Sequence, residues 1–257
     1  MKPLEGKGIL VTRGKSQAQR FIKHIEKQGG VAYHAPLLTF QLKDTKSSSH
    51  LLHELHDYSW VFMTSSNGVK FFFELLRKQE RTVPPELRFA IVGKKTEQQL
   101  KQFGYKADFV PTEYRAEVMG GEFLEAFPEP GKILYIRGNL SRDVLPAYFK
   151  AEQVFFHSMT VYDTLLVDDH KRHIAAWLEE GRLDALTFTS PSTVKAYHTA
   201  VSDSENKGRK LPCFCIGPTT ADAAARFGFT NICTPENYTI ESMIERIVQY
   251  FSSEGKR

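Results

Sequence analysis

A short stretch around Arg13, VTRGKSQ, returns around Arg137 as YIRGNLS, 124 positions later. TSSNGVK at Thr64 returns as TSPSTVK at Thr189, after 125 positions. The longest block has its VG ending at Gly93 and recurs with Gly217, again 124 positions on. The same interval separates Gly104 from Gly228, Pro111 from Pro235, Tyr114 from Tyr238 and Met119 from Met243. Three separate blocks held within one residue of a single period define a duplicated unit. A chain built this way has two similar halves of about 125 residues, an ordinary domain size. Two such halves facing each other are expected to enclose a cleft, a favoured place for a small-molecule site.

The rest of the composition narrows the classes. With 257 residues, 41% hydrophobic and 12% aromatic, the chain can fill two cores, which argues against disorder. A formal charge of +4 suits an anionic ligand and is too small to argue for nucleic acid. No run approaches the roughly 18 to 20 apolar residues of a membrane-spanning helix. The opening MKPLEGKG lacks the apolar core of a signal peptide. Cys213, Cys215 and Cys233 are odd in number and sit in strand-like segments, as buried thiols of a reducing interior do. The expected location is the cytoplasm, with no membrane partner.

Short apolar runs alternate with amphipathic ones. KGILVTR, YSWVFMTS, RFAIVG and KADFVP read as buried strands, and KILYIR, DALTFTS, PCFCIG and NICTP are their later partners. AQRFIKHIEKQ, NGVKFFFELLRK, TEQQLKQF and AEVMGGEFLEAF carry apolar residues at helical spacing. Strict alternation predicts parallel sheets with helices on both faces, an α/β fold. Helix starts then line the carboxyl end of each sheet, where such folds bind ligands. Val31–Leu42 and Gln153–Val167 are longer than an ordinary buried strand and occupy matching places, which predicts two extended linkers between domains. Lys43–Ser49 and Ser202–Lys210 read as polar loops.

No glycine-rich nucleotide loop and no zinc spacing is present. His50, His53 and His56 recur every third residue and read as exposed helix histidines rather than metal ligands. Cys213 and Cys215 are expected on opposite faces of their strand. The pairs Thr64-Ser65, Thr189-Ser190 and Thr219-Thr220 fall where strands hand over to helices. There a hydroxyl either caps the helix or, with the free N–H groups behind it, holds a carboxylate. Arg13 and Arg137 end their strands as forks for a carboxylate or as solvated charges. Asp168-Asp169 reads as the acidic start of a helix. Tyr162 lies in the second overlong segment. Its ring either packs as strand tyrosines do, or its phenol donates a proton to a departing group.

VTRG before a helix, WVFMTSSNGV, V-G-x-x-T-x-x-x-L-x-x-x-G, LYIRGN, TVYDT, FTSPSxV and IGPTTA run in this order over nearly the whole chain. Together they resemble the uroporphyrinogen-III synthase family. That resemblance implies two Rossmann/flavodoxin-like parallel-sheet domains joined by a two-stranded β linker. Residues 1–36 and 166–257 would form one domain, and 37–165 the other, with the linker strands at its ends. The implied reaction needs no cofactor and no metal. Hydroxymethylbilane, a linear tetrapyrrole, loses water and closes to uroporphyrinogen III with its last pyrrole ring inverted.

By the same resemblance the tyrosine of V-Y-x-T falls on Tyr162, the catalytic candidate. Substrate contacts fall on Thr12, Arg13, Thr64, Ser65, Ser66, Gly93, Arg137, Gly138, Asn139, Thr189, Ser190, Gly217, Thr219 and Thr220. Two motifs depart from the family: the first copy of G-P-x-T reads Gly93-Lys94-Lys95-Thr96, and Gly14 stands where proline usually follows V-T-R, which loosens that turn. A monomer is expected, since neither half shows an extended self-pairing segment, with transient hand-over from hydroxymethylbilane synthase. The rival classes are a non-catalytic two-domain binder of small acids and a nucleotide-sugar transferase. The motif set opposes the first, and the lack of a glycine-rich fingerprint the second.

Overall fold

The computed structural model describes residues 2–113, 115–201 and 205–254. Contacts divide the chain into two units, Met1–Thr39 with Leu165–Arg257, and Phe40–Thr164. The first unit opens with β1 (Gly8–Val11), α1 (Lys15–Lys27) and β2 (Val31–His34), and β3 (Leu38–Leu42) carries the chain onward. The second unit holds α2 (Lys46–His53), β4 (Trp60–Met63), α3 (Ser66–Lys78), β5 (Arg88–Ile91), α4 (Lys94–Gln102), α5 (Ala116–Ala126), β6 (Ile133–Gly138) and α6 (Val144–Ala151). The chain returns through β7 (Phe156–Leu166) to α7 (Lys171–Glu179), β8 (Ala185–Phe188), α8 (Pro191–Ala200) and α9 (Glu205–Arg209). It finishes with β9 (Cys213–Cys215), α10 (Pro218–Arg226), β10 (Ile232–Cys233) and α11 (Ile240–Glu254).

One sheet has the order β10-β9-β8-β1-β2 and the other β3-β7-β6-β4-β5. The sequence period maps these onto each other. β6 stands to β4 and β5 as β1 stands to β8 and β9, and β7 flanks β6 as β2 flanks β1. The repeat is therefore a repeat of sheet neighbours as well as of residues. Each sheet is covered on both faces, which is why its strands read as continuous apolar runs. In the second unit Val61, Met63, Phe89, Ile91, Leu134 and Ile136 enter one core, while Trp60, Phe62, Ala90, Ile133 and Tyr135 enter the other. In the first, Leu10 and Leu186 face away from Ile9, Val11 and Ala185. Successive residues alternate between two buried layers, as the two-residue period of a strand requires.

Several expectations change. Val31–Leu42 is not one strand; it breaks at Ala35–Leu37, where Pro36 has no N–H to continue a ladder. Lys106–Pro111 contributes only an isolated bridge between Ala90 and Phe109. Beside that bridge the Asp108 carboxylate, rather than another backbone carbonyl, accepts the Phe89 N–H at 2.9 Å. Lys43–Ser49 is a loop only as far as Thr45, whose hydroxyl accepts the Ser48 N–H (3.1 Å) and starts α2. Within Ser202–Lys210, α9 is helical; residues 202–204, and Tyr114 of the repeat, lie outside the described residues. Cys213 and Cys215 share a face, with sulfurs 3.7 Å apart in one core while Phe214 enters the other. Residues two apart on a strand point the same way, so the opposite-face expectation was mistaken. Gly14 has φ −55°, an extended conformation open to any residue, so the turn does not depend on glycine.

Candidate functional site

In the second unit, β7, β6, β4 and β5 lie side by side, so their carboxyl ends bring Tyr162, Gly138-Asn139, Thr64–Ser66 and Gly93 along one edge. Tyr162 is 7% exposed. Phe71 stacks on its ring at 5.3 Å and 26°, and Phe40 meets it edge-on at 5.7 Å and 76°. Opposite it in the ladder stands Gly138, at a register shift between Arg137 and Gly138. A Cβ at Gly138 would lie 2.4 Å from Tyr162 Cζ, so the ring occupies space that only glycine leaves. Burial raises the phenol pKa above its ordinary value; the neighbouring Ser65 side chain opposes this and Tyr135 adds to it. At neutral pH the group is a proton donor, held between two rings.

The Ser65 hydroxyl accepts the Gly68 N–H at 3.0 Å and caps α3. Ser65→Ala should therefore cost about 1 kcal/mol of unfolding free energy, read by denaturant titration. Arg137 is committed within its own loop: Nη1 donates to Asp143 Oδ1 at 2.5 Å and Nη2 to the Ser141 carbonyl. Asn139 Oδ1 accepts the Thr164 N–H at 2.8 Å, and its own N–H donates to the Tyr162 carbonyl at 3.1 Å. Both bonds tie β6 to β7 beside the phenol. Gly93 caps α4 with φ +89°, a left-handed conformation that glycine adopts freely. Thr64 and Ser66 are half-buried beside Ser65.

The first unit presents the equivalent edge with Gly217, Thr189-Ser190, Thr12-Arg13 and His34. Thr12 is 1% exposed and its hydroxyl donates to the Thr187 carbonyl at 2.9 Å, so it ties β1 to β8. Arg13 Nη2 donates to Gln17 Oε1 at 2.8 Å, while its buried Nε has no hydrogen-bond partner among the described residues. Burial holds the Arg13 pKa below its ordinary value, opposed by Glu241. A buried, unmatched guanidinium N–H is a costly feature that an anion would relieve. Ser190 caps α8 in a reciprocal box with Thr193. Thr189 is half-buried, Thr219 exposed and Thr220 buried. Gly217 starts α10 without a side-chain cap, as Gly93 and Gly14 start their helices. Helix starts whose N–H groups no side chain takes up suit carboxylates.

Three further residues belong to these edges. Phe40 and Phe71 bracket Tyr162, and His34 Nε2 lies 2.9 Å from the Arg13 carbonyl. Phe71 was visible only as one apolar position of α3, and Phe40 only as part of an overlong strand. Elsewhere the sequence candidates find local partners: His50 with Glu54 (3.5 Å), His53 with Arg81 (2.8 Å), His56 with Asp57 (3.2 Å) and Asp168 with Lys171 (2.8 Å).

Two α/β units, each with turns and helix starts at its strand ends, define a two-unit α/β class whose members bind ligands at those ends. Within that class the match is specific: the profile described as uroporphyrinogen-III synthase HemD aligns with residues 19–245. The chain belongs to the uroporphyrinogen-III synthase family. It is 30% identical over 251 residues to the uroporphyrinogen-III synthase of Chlorobaculum parvum, covering 95% of this chain and 98% of that one. It is 26% identical over 251 residues to the porphyrin biosynthesis protein HemD of Ruminiclostridium josui, covering 96% of this chain but only 49% of that longer protein. Its fold is that of a mutant uroporphyrinogen III synthase from Thermus thermophilus, with TM-score 0.70, 15% identity and coverage of 96% and 99%. No helix among the described residues is long and apolar enough to cross a membrane.

Proposed function

We propose that this chain closes hydroxymethylbilane to uroporphyrinogen III, and that Tyr162 assists departure of the terminal hydroxyl. Family membership supports the reaction; the buried, protonated phenol beside Gly138, stacked by Phe71 and met edge-on by Phe40, supports the role. As the C–O bond breaks, the phenol donates its proton, water departs and the pyrrole is left as an azafulvenium cation; the proton lost when the closing ring regains aromaticity returns to the phenolate. The substituted carbon of the last pyrrole attacks, and the resulting spiro intermediate breaks and re-forms with that ring inverted. The pyrroles supply the electrons. The protein supplies orientation, because unassisted closure gives the uninverted isomer.

The substrate's acetate and propionate groups are held, on this reading, by Arg13 and by the backbone N–H groups behind Gly93 and Gly217, with Thr219 beside the latter. Thr64, Ser66, Thr189 and Thr220 line the same turns. Ser65, Arg137, Gly138, Asn139, Ser190 and Thr12 act by shaping the strand ends, since their polar groups are engaged internally or, for Gly138, the backbone makes room for Tyr162. The chain works as a cytoplasmic monomer that receives its unstable substrate from hydroxymethylbilane synthase, without metal or cofactor.

Three results are expected. Expression in a bacterial strain lacking this synthase should restore growth without added haem; a well-expressed chain that fails to do so rejects the assignment. Arg13→Met should raise KM about tenfold with kcat nearly unchanged, as loss of uniform binding does. Steady-state kinetics in which kcat alone falls would contradict that role. Because burial raises the Tyr162 pKa above 10.0, the alkaline limb of kcat should fall above pH 10. A limb below pH 9 that Tyr162→Phe abolishes would overturn the donor assignment.

A further inference from the structure

Away from the strand carboxyl ends, the second unit carries a groove of about 590 Å³ on the outer side of α3 and α4. Both helices start at the carboxyl edge; the groove is lined by α3 from Lys70 to Arg77, by Arg81, Thr82 and Val83 after it, and by Phe103 and Tyr105 beyond α4. Its wall is aromatic and layered: Phe103 stacks on Phe73 at 4.5 Å and 9°, and Tyr105 stacks on Phe73 at 5.1 Å and 28°. Phe103 remains 38% exposed. Its rim is cationic, with Lys70, Arg77 and Arg81 set against the single carboxylate of Glu74.

A helix stabilises cations near its C-terminus, which accounts for Arg77, while Lys70, in the second turn of α3, holds its Nζ 5.1 Å from the Phe71 ring centroid. Arg81 lies beyond the helix and is fixed by a 2.8 Å hydrogen bond to His53 Nδ1. Lys70 and Arg77 are seven residues apart on one helix, a rise of about 10 Å. The volume falls within the ordinary range for small-molecule sites.

We infer that this groove binds a planar aromatic acid bearing two or more carboxylates, its rings against the exposed Phe103 ring and its carboxylates on Lys70, Arg77 and Arg81. The ring face gains apolar and cation–π contact, and the spaced cations select a rigid dianion over a neutral ring. This site is separate from the turns that carry the proposed reaction, so its occupancy is independent of that reading.

The test is a calorimetric titration of the full chain with naphthalene-2,6-dicarboxylate, with 2-naphthamide as the uncharged ring. The expected result is saturable binding at one site per chain, at least tenfold weaker for the amide. Arg77→Glu, Lys70→Glu and Phe103→Ser, all at exposed positions, should each weaken the dianion at least fivefold, whereas Tyr162→Phe should leave it unchanged. Four results overturn the inference: no binding up to several millimolar, equal affinity for the amide, indifference to both charge reversals, or equal weakening by Tyr162→Phe. The last would place the acid at the carboxyl edge instead.

Discussion

Tyr162→Phe is expected to lower kcat about 100-fold with KM nearly unchanged, the loss typical of removing one positioned proton donor. The substitution is well suited to the question because the ring stays. Phe71 and Phe40 still enclose it, Gly138 still leaves room for it, and Ser65 still caps α3 through the Gly68 N–H. Only the phenol oxygen is lost, so stability should change by about 1 kcal/mol at most. Circular dichroism and denaturant unfolding establish that the fold is intact. Single-turnover kinetics then separate the chemical step from binding and release. A folded variant with undiminished turnover removes Tyr162 from the reaction.

The second large effect lies across the ladder. In Gly138→Ala the added Cβ would sit 2.4 Å from Tyr162 Cζ, 2.6 Å from Cε2 and 2.7 Å from Oη. Ring or strand must move, at a cost of about 1–3 kcal/mol for an overpacked methyl. The ring cannot move freely, since Phe71 is stacked on it and Phe40 abuts it. Displacement of the phenol should lower kcat more than tenfold. A double-mutant cycle isolates the cause. With Tyr162→Ala already in place the methyl has space, and Gly138→Ala should then cost almost nothing further in stability. Equal penalties in the two backgrounds would show that the glycine serves some other purpose.

The strands were legible because both faces of each sheet are buried: runs such as Trp60–Met63 and Ile133–Ile136 leave no polar alternation to confuse with a surface strand. The period of 124 carried the neighbour relations as well, since β1, β8 and β9 recur as β6, β4 and β5 in the same lateral order. The sequence was a poorer guide where a side chain replaces a backbone partner. Asp108 takes the N–H that a longer strand through Phe109 would have paired, and Thr45 turns a polar loop into the start of a helix. At the candidate site, residue types were readable but their commitments were not. Thr12 is spent on a carbonyl 175 positions away, and Arg137 on Asp143 and Ser141 of its own loop. Both look like ligand contacts until their partners are seen. Arg13 is the converse, a strand-end charge whose buried Nε is left without a partner among the described residues. Phe40 carried no signal at all, because nothing in an apolar run marks which ring will face a phenol across a neighbouring strand.

The central claim is that the protein imposes ring inversion on a substrate able to close without it. The direct measurement supplies freshly generated hydroxymethylbilane to the purified chain, oxidises the products and separates the porphyrin isomers chromatographically. The account predicts mostly type III, formed faster than the buffer reaction, with Tyr162→Phe shifting the mixture toward type I as spontaneous closure overtakes the slowed enzyme. Type I alone from the unaltered chain, at the rate seen in buffer, would contradict it.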